Sequence, residues 1–268
     1  MEAALLNERR PTVTKSAIAS VVSDFANEVS QRLERLATLA ADGGLDAAIG
    51  LMTRAIEAGA VIQAFGTGHS EAFAMEIAGR AGGLIPTNKI ALRDLVLHGG
   101  IPVDALAGSS LERNPDVVSE LWKVSPIQAG DVFVIASNSG VNGSVVGMAL
   151  LAKDRGHDVI AVTSLEHTAR VRPKHPSGLR LSEVADVVID NLAPYGDATL
   201  ALPGGVAVGS VSSITSAFIA QLLTIGVAER MNGDGQVPPL YLSANIPGGD
   251  EHNHALEKKY RGRIRRVT

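Results

Sequence analysis

Two segments of this chain share one arrangement: an apolar run, a loop of small polar residues, and then a helical pattern. The first run, residues 60–65, leads into Gly-Thr-Gly-His-Ser at 66–70. The second, residues 131–136, leads into Ser-Asn-Ser-Gly at 137–140. Short apolar runs before glycine-containing turns indicate buried strands. Helix N-termini present free N–H groups and a positive dipole end, so the two junctions predict two halves of one crevice for an anion such as phosphate.

Strand-like and helical patterns alternate through the middle of the chain. Apolar runs predict five strands, at 60–65, 84–90, 131–136, 158–163 and 185–190. Apolar residues at helical spacing predict helices between them, and long helices at 13–41 and 209–231. This alternation implies parallel βαβ units with right-handed crossovers. The predicted fold is a three-layer α/β/α sandwich around a mainly parallel, flavodoxin-like five-stranded sheet, with long N-terminal and C-terminal helices.

The remaining segments carry weaker patterns. Residues 1–12 resemble a loose tail, residues 94–112 an irregular segment, and residues 165–180 a polar loop. The last 37 residues are predicted to be mostly loop, with a short helix near 254–260.

Composition excludes several classes of protein. The chain has no cysteine, which rules out disulfides, thiolate metal sites and a cysteine nucleophile. Its formal net charge of −4 argues against broad nucleic-acid binding. The sequence contains no stretch of eighteen apolar residues and no secretory h-region, so we expect a cytoplasmic protein without a membrane span. Aromatic residues make up only 3%, which suits a parallel sheet packed through small aliphatic side chains.

The first loop also invites comparison with nucleotide-binding loops. A dinucleotide fingerprint would place its third glycine at position 71, where this chain has Glu71. No acidic residue ends the second predicted strand, where a ribose would need one. The P-loop pattern of nucleotide triphosphatases is absent. A small phosphorylated metabolite, held by hydroxyls and backbone N–H groups, is the better candidate ligand.

Taken together, the loops resemble those of the sugar isomerase (SIS) domain superfamily, and the chain is similar to a bacterial branch of it. The similarity is carried by residues 65–70, 80–83, 137–142, 163–167 and 248–253 and covers most of residues 35–265. It implies a phosphosugar site. The residues it assigns to that site are Gly68, His69, Ser70, Ser137, Asn138, Ser139 and Asn142. Asn142 stands where many members have Thr or Ser, which keeps the hydrogen-bonding capacity.

Aldose–ketose isomerisation needs a base that moves a proton between adjacent carbons. Glu76 lies among apolar residues six positions after Ser70, and desolvation there would raise a carboxyl pKa into a useful range. The structural alternative is an ion pair with Arg80, one helical turn away. In the related heptose-phosphate isomerases a metal-ligating histidine stands at the position six residues after the serine. This chain has Glu76 there, which argues against a zinc-dependent reaction.

A second group of ionisable residues, 250–254, lies near the C-terminus. Glu251 and His252 are candidates for a catalytic role, either in their own site or in that of a neighbouring subunit. In some SIS enzymes a histidine reaches the site of a neighbouring subunit in this way. No further ligands accompany them, so we predict no metal site. The basic loop that begins at His167 is either a mobile lid or a solvated loop. The basic tail 258–263 is interpreted as solvated surface or a subunit contact.

The sequence therefore predicts a cofactor-free phosphosugar-binding protein that isomerises an aldose and a ketose phosphate through an enediol. The alternatives are a phosphosugar sensor without turnover and a sugar-phosphate ether lyase. We expect an N-terminal helical extension (1–58), a SIS core (59–231) and a C-terminal segment (232–268) that completes the site or a subunit contact. A sugar phosphate is the expected small-molecule partner, with no nucleic acid and no membrane, and a homodimer or a dimer of dimers is expected.

Overall fold

The computed structural model describes residues 15–266, so the tail predicted at 1–12 lies outside the described residues. The helices are Lys15–Ala41 (α1), Asp46–Glu57 (α2), Glu71–Ile77 (α3), Asp94–Leu97 (α4), Ser110–Arg113 (α5), Val117–Val124 (α6), Gly143–Asp154 (α7), Leu165–Arg170 (α8), Leu181–Val184 (α9), Ser212–Gly233 (α10) and Gly249–Glu257 (α11). The strands are Ile62–Gly66 (β1), Thr87–Ile90 (β2), Val132–Ala136 (β3), Val159–Thr163 (β4), Val187–Asp190 (β5), Ala198–Leu202 (β6) and Val206–Ser210 (β7).

Five strands form one parallel sheet in the order β2-β1-β3-β4-β5. Ile62 of β1 lies opposite Val132 of β3, and Gly66 lies opposite Ala136, so the two strands end level with each other. Strands β1, β3 and β4 are buried along their whole length, which explains their continuous apolar sequences. The strand order is that of flavodoxin-like doubly wound folds, and the predicted fold is confirmed.

Helices cover both faces of the sheet and enclose two hydrophobic cores. Alternate residues of β3 point into different cores, as the pleat of a strand requires. Val132 and Val134 pack with α1, α2, α3 and α10, whereas Phe133 and Ile135 pack with α6, α7 and α9. The N-terminal helices α1 and α2 thus share a core with the sheet. The predicted segment boundaries at residues 58 and 231 stay predictions.

The sequence pattern did not predict an antiparallel hairpin, formed by β6 and β7. Its turn contains Gly204 and Gly205 at φ angles of 87° and 76°, a backbone conformation that glycine adopts without a steric penalty. The hairpin contacts α1, where a Cβ on Gly209 would lie 2.8 Å from the ring of Phe25. The long helix predicted from Gly209 therefore begins only at Ser212.

Other predicted boundaries also change. The segment 94–112 contains the short helices α4 and α5, and the polar loop 165–180 begins with α8. The helix predicted after the first loop is preceded by a 3-10 turn, Gly68–Ser70, and ends at Ile77. Helices this short gain little from intrinsic propensity and depend on tertiary contacts, so a periodic pattern does not reveal them.

Helix α10 crosses the hydrophobic core that the sheet forms with α1, α2 and α3. It is the one helix within residues 15–266 whose length and composition would allow it to span a bilayer. Its buried residues, among them Ile219, Leu223 and Val227, pack against α1, α2 and α3. A long apolar helix in such a position is a core helix, because the hydrophobic effect buries its apolar face inside the protein.

The basic tail is anchored where the sequence suggested solvated surface. Lys258 and Lys259 are exposed, but Arg263 pairs with the buried carboxylate of Asp131 at 2.5 Å. The backbone N–H of Arg265 donates to Asn88 Oδ1 at 3.0 Å. The interpretation as solvated surface is therefore wrong for Arg263, the last residue of the predicted tail, and Arg265 just after it adds a second connection to the sheet.

Candidate functional site

The first small polar loop follows β1 and turns sharply into α3. A Cβ on Gly66 would lie 2.2 Å from the carbonyl oxygen of Ser70, so only glycine permits this turn. Gly68 has a φ of 55°, in the left-handed region that glycine adopts readily. The Ser70 N–H donates to the Thr67 carbonyl at 3.1 Å. These constraints hold the loop over the carboxyl end of the sheet, with Gly68 and His69 exposed.

The second loop follows β3 and is fixed by its own polar groups. Ser137 is buried, and its Oγ accepts a hydrogen bond from the Gly140 N–H at 3.1 Å. Asn138 Oδ1 accepts from Asn191 Nδ2 at 3.1 Å, which ties the loop to the end of β5. The hydroxyl of Ser139 makes no hydrogen bond to any group within residues 15–266. Ser139 is thus a half-buried hydroxyl on a rigid loop, free to meet a ligand.

The two loops meet at a cavity of about 400 Å³. This volume is within the range of small-molecule sites. Its lining residues are Thr67, Gly68, His69, Ser70, Glu112, Ser137, Asn138, Ser139, His167, Asp197, Ser210, Ser212 and Ser213. Six of the residues predicted to bind the sugar phosphate therefore lie around one cavity, at the carboxyl ends of adjacent parallel strands. This is where open α/β sheets bind their ligands.

Asn142, the seventh predicted binding residue, does not line the cavity. Its Nδ2 donates to Glu112 Oε1 at 2.5 Å, and its Oδ1 accepts from Lys174 Nζ at 3.3 Å. With one partner on each side, the amide is held in one orientation. Asn142 therefore positions the carboxylate of Glu112 in this structure, where the sequence suggested a direct contact with substrate.

Glu112 is the cavity carboxylate that the sequence did not predict. It lies in the short helix α5, and its backbone carbonyl accepts from Ser144 Oγ at 2.7 Å. Oε1 is bound by Asn142, whereas Oε2 makes no hydrogen bond within residues 15–266. Oε2 lies 3.6 Å from the position that a Cβ on Gly68 would occupy. One carboxylate oxygen therefore faces the first loop and is available to a ligand.

A second cavity carboxylate, Asp197, has a structural task. Its φ of 71° is in the left-handed region, and its carboxylate accepts from the backbone N–H of Val211 at 3.1 Å and of Ser212 at 2.8 Å. It also accepts from Ser212 Oγ at 2.7 Å. Asp197 therefore caps the N-terminus of α10, and a negative charge there is stabilising. The cap places Ser212 and Ser213 at the cavity wall.

The predicted base Glu76 lies outside the lining of this cavity. Its Oε1 accepts from Gln221 Nε2 at 2.6 Å and pairs with the guanidinium of Arg80. The ion pair is the structural alternative that the i,i+4 spacing suggested. Within a single chain, Glu76 of α3 thus binds both Arg80 and Gln221 of α10 through its Oε1.

The predicted pair Glu251 and His252 is also absent from the lining. Both belong to α11, where the His252 ring hydrogen-bonds the Leu240 carbonyl through Nε2 at 2.9 Å. A separate surface depression beside α11 is lined by Asp250, Asn253 and His254, among other residues. The single chain therefore does not bring the C-terminal cluster to the serine loops.

Hydroxyls, two histidines, two carboxylates and the amide of Asn138 supply the polar side chains of the cavity, and its lining contains no Lys or Arg. Within residues 15–266, no group of three or more His, Cys, Asp or Glu side chains is arranged to hold a metal ion. A phosphate at the serine loops would be bound by hydroxyls and backbone N–H groups, as at other anion-binding loops.

Comparison with known proteins places the chain in a family. The family model described as the SIS domain matches residues 24–164. UPF0309 protein TTE0306 of Caldanaerobacter subterraneus is 35% identical over 91% of this chain and 98% of its own length. UPF0309 protein lin2794 of Listeria innocua is 39% identical over 80% of this chain and 85% of its own length.

Two solved structures share the fold at low sequence identity. The E. coli CFT073 protein c3406, solved in complex with a sugar phosphate, is 15% identical, with a TM-score of 0.50 over 82% of this chain and 94% of that one. A phosphoheptose isomerase from Francisella tularensis is 16% identical, with a TM-score of 0.50 over 79% of this chain and 98% of that one. The chain therefore belongs to the SIS domain family and is a relative of the UPF0309 proteins.

Proposed function

We propose that this protein binds a phosphorylated sugar and isomerises it between aldose and ketose forms through an enediol. The observation that carries the proposal is the meeting of the two serine loops around one cavity, at the ends of β1 and β3. The phosphate would lie against Ser137, Asn138 and Ser139. The SIS family and the two fold neighbours, one solved with a bound sugar phosphate and one a phosphoheptose isomerase, support this class of ligand.

For the reacting end of the sugar, the cavity offers the free Oε2 of Glu112 as a base. A carboxylate there can take the proton from the carbon beside the carbonyl and return it to the carbonyl carbon. Glu76, the base predicted from the sequence, is the alternative to Glu112. Glu251 and His252 would act only where a neighbouring subunit brings them to the cavity.

A phosphosugar-binding protein without turnover is the second candidate. The position of Glu76, Glu251 and His252 favours it, because all three catalytic residues predicted from the sequence lie outside the lining of the cavity. Sugar phosphates ranked by thermal shift and then incubated in D₂O separate the candidates. Deuterium at C2 with formation of the isomer supports isomerisation, binding without exchange supports the sensor, and release of a lactyl fragment supports the ether lyase.

The phosphate end is tested by replacing Ser139 with Ala. Removing a hydroxyl that binds a charged group costs about 1.5–3 kcal/mol, so the Kd of a sugar phosphate should rise by about 10- to 100-fold. Isothermal titration calorimetry measures this change. Ser119→Ala, at an exposed position on α6, is the control and should bind as tightly as the native protein. An unchanged Kd in Ser139→Ala would show that the phosphate lies elsewhere.

The proposal includes a homodimer. Exposed apolar side chains lie on elements that pack against one another: Ile18 and Val22 on α1, Ile225 on α10, and Val206 and Val208 on β7. Exposed apolar surface shared by several elements marks an interaction surface. Light scattering on the native protein should give about twice the chain mass of 27.8 kDa, and Val22→Asp combined with Ile225→Asp should give the monomer. A monomeric native protein would contradict the dimer.

A further inference from the structure

His167 occupies a fixed position at the wall of the cavity. It lies in the first turn of α8, and its backbone N–H donates to the capping Oγ of Ser164 at 2.9 Å. Ser164 is fully buried, and its hydroxyl donates to the Ala193 carbonyl at 2.6 Å. The backbone that carries His167 is therefore attached to the segment that follows β5. A side chain on such a support keeps its place when a ligand enters.

The imidazole ring is held as firmly as the backbone. The Gly196 N–H donates to Nδ1 at 3.0 Å, and the ring stacks on Tyr195 with centroids 5.3 Å apart. The guanidinium of Arg170 lies 5.4 Å from the centroid of the same tyrosine ring, and Glu166 pairs with Arg170 at 3.2 Å. The imidazole is therefore held at its Nδ1 edge by Gly196 and on one face by Tyr195.

The hydrogen bond to Nδ1 determines which ring nitrogen of His167 carries the proton. Nδ1 accepts a hydrogen bond from a backbone N–H, so in the neutral ring the proton is on Nε2. Burial lowers the pKa of His167, while the nearby carboxylate of Asp197 opposes this shift and Lys174 adds to it. The neutral ring is therefore favoured near neutral pH. Nε2 has no hydrogen-bond partner within residues 15–266, and His167 lines the cavity.

We propose that the Nε2–H of His167 donates a hydrogen bond to the carbonyl oxygen of the sugar phosphate and stabilises the negative charge that forms on it. The inference rests on the proposed isomerase function and adds a second catalytic group to the cavity that holds Glu112. A neutral donor fixed before the reaction needs no reorganisation as charge develops, which is the general basis of oxyanion stabilisation.

The step balances without a further reactant. The C–H bond beside the carbonyl breaks, its proton goes to the Glu112 carboxylate, and its electron pair forms the C=C bond of the enediolate. The carbonyl oxygen takes the negative charge beside Nε2–H. Glu112 then returns the proton to the former carbonyl carbon, while the proton of the neighbouring hydroxyl moves to the former carbonyl oxygen. The aldose becomes the ketose, with no net oxidation.

Two substitutions separate the two ring nitrogens. The amide nitrogen of Gln reaches about as far as Nε2 of His, whereas that of Asn reaches about as far as Nδ1. His167→Asn should lower kcat by about 10²- to 10³-fold, the usual loss on removing one oxyanion donor. His167→Gln should keep kcat within about tenfold of the native value, and KM should change little in either variant. His98→Gln, at an exposed position after α4, is the matched control.

Two measurements do not depend on turnover. Nitrogen-15 NMR of the histidine rings should show His167 protonated on Nε2 and unprotonated on Nδ1. The native protein should bind 5-phosphoarabinonohydroxamate, a planar mimic of an enediolate, more tightly than arabinitol 5-phosphate, and His167→Asn should remove that difference.

A proton on Nδ1, equal losses of kcat in the Gln and Asn variants, or no preference for the hydroxamate would each overturn the role of His167. Failure of the proposed function has a different signature. No sugar phosphate would exchange deuterium, whereas the tautomer of His167 would remain as inferred.

Discussion

Replacing Glu112 by Gln should reduce the rate of isomerisation by about 10²- to 10⁴-fold, the usual contribution of a positioned general base. Gln has nearly the same shape and can still accept the hydrogen bond from Asn142 that holds Glu112 Oε1. It cannot take a proton from carbon. The Kd of the sugar phosphate should therefore stay within a few-fold of the native value. Deuterium incorporation at C2 in D₂O, followed by proton NMR, measures the loss.

Two further variants test whether the loss of exchange is specific to Glu112. Glu120→Gln alters an exposed glutamate on α6 that pairs with Lys123 at 2.7 Å, and it should exchange deuterium as the native protein does. Glu76→Gln tests the rival base. If exchange survives in Glu112→Gln and disappears in Glu76→Gln, the base is Glu76, and the cavity of the single chain is only part of the site. That outcome would favour a site shared between subunits.

The strands of the sheet were predictable because burial leaves a local signature. β1, β3 and β4 are covered on both faces, so every position is buried. The runs of β1 and β3 each stop at a small polar loop. The meeting of the two loops was also predictable, because the carboxyl ends of parallel strands lie at one edge of the sheet. Gly66 opposite Ala136 is the register that brings the two loops together.

Glu112 and Asp197 could not be found in this way. Glu112 lies in a four-residue helix within a segment that has no periodicity, and only the folded chain brings it beside Gly68. Asp197 precedes a hairpin whose strands are partly exposed and carry no continuous apolar run. A signal did exist in the two consecutive glycines, Gly204 and Gly205, which are typical of a hairpin turn. They stood inside a segment that the sequence left unassigned.

Glu76 illustrates an ambiguity that spacing alone leaves open. Its position after the first loop and its apolar neighbours suggested a desolvated base, while Arg80 four residues later suggested an ion pair. The structure forms the ion pair and adds a hydrogen bond from Gln221 of α10. A local sequence window contains Arg80 but not Gln221, because the contact between α3 and α10 is a long-range one.

The largest stability effect is expected at the opposite end of the sheet, at Asp131. Its carboxylate is fully buried and accepts four hydrogen bonds. The donors are the backbone N–H groups of Val61 (2.9 Å) and Gln128 (3.0 Å), Gln63 Nε2 (2.8 Å) and Arg263 Nη2 (2.5 Å). This single side chain joins the start of β1, the start of β3 and the C-terminal tail.

Asp131→Ala should lower the free energy of unfolding by about 3–5 kcal/mol, because it leaves the mostly buried guanidinium of Arg263 without its counter-charge. The amide of Gln63 and two backbone N–H groups also lose their acceptor, and each unsatisfied buried donor is costly. Urea denaturation followed by circular dichroism, at one fixed protein concentration, measures the change. Asp154→Ala, at an exposed position at the end of α7, should change the free energy of unfolding by less than about 0.5 kcal/mol.

The double variant Asp131→Ala with Arg263→Met separates the charge from the packing. If the unpaired guanidinium causes most of the loss, removing it as well should restore part of the stability, so the two single effects should not add. Full additivity would mean that Asp131 acts through Gln63 and the backbone N–H groups alone. The tail would then be attached through the hydrogen bond from the Arg265 N–H to Asn88 Oδ1, and Asn88 is linked to Asp131 only through Gln63.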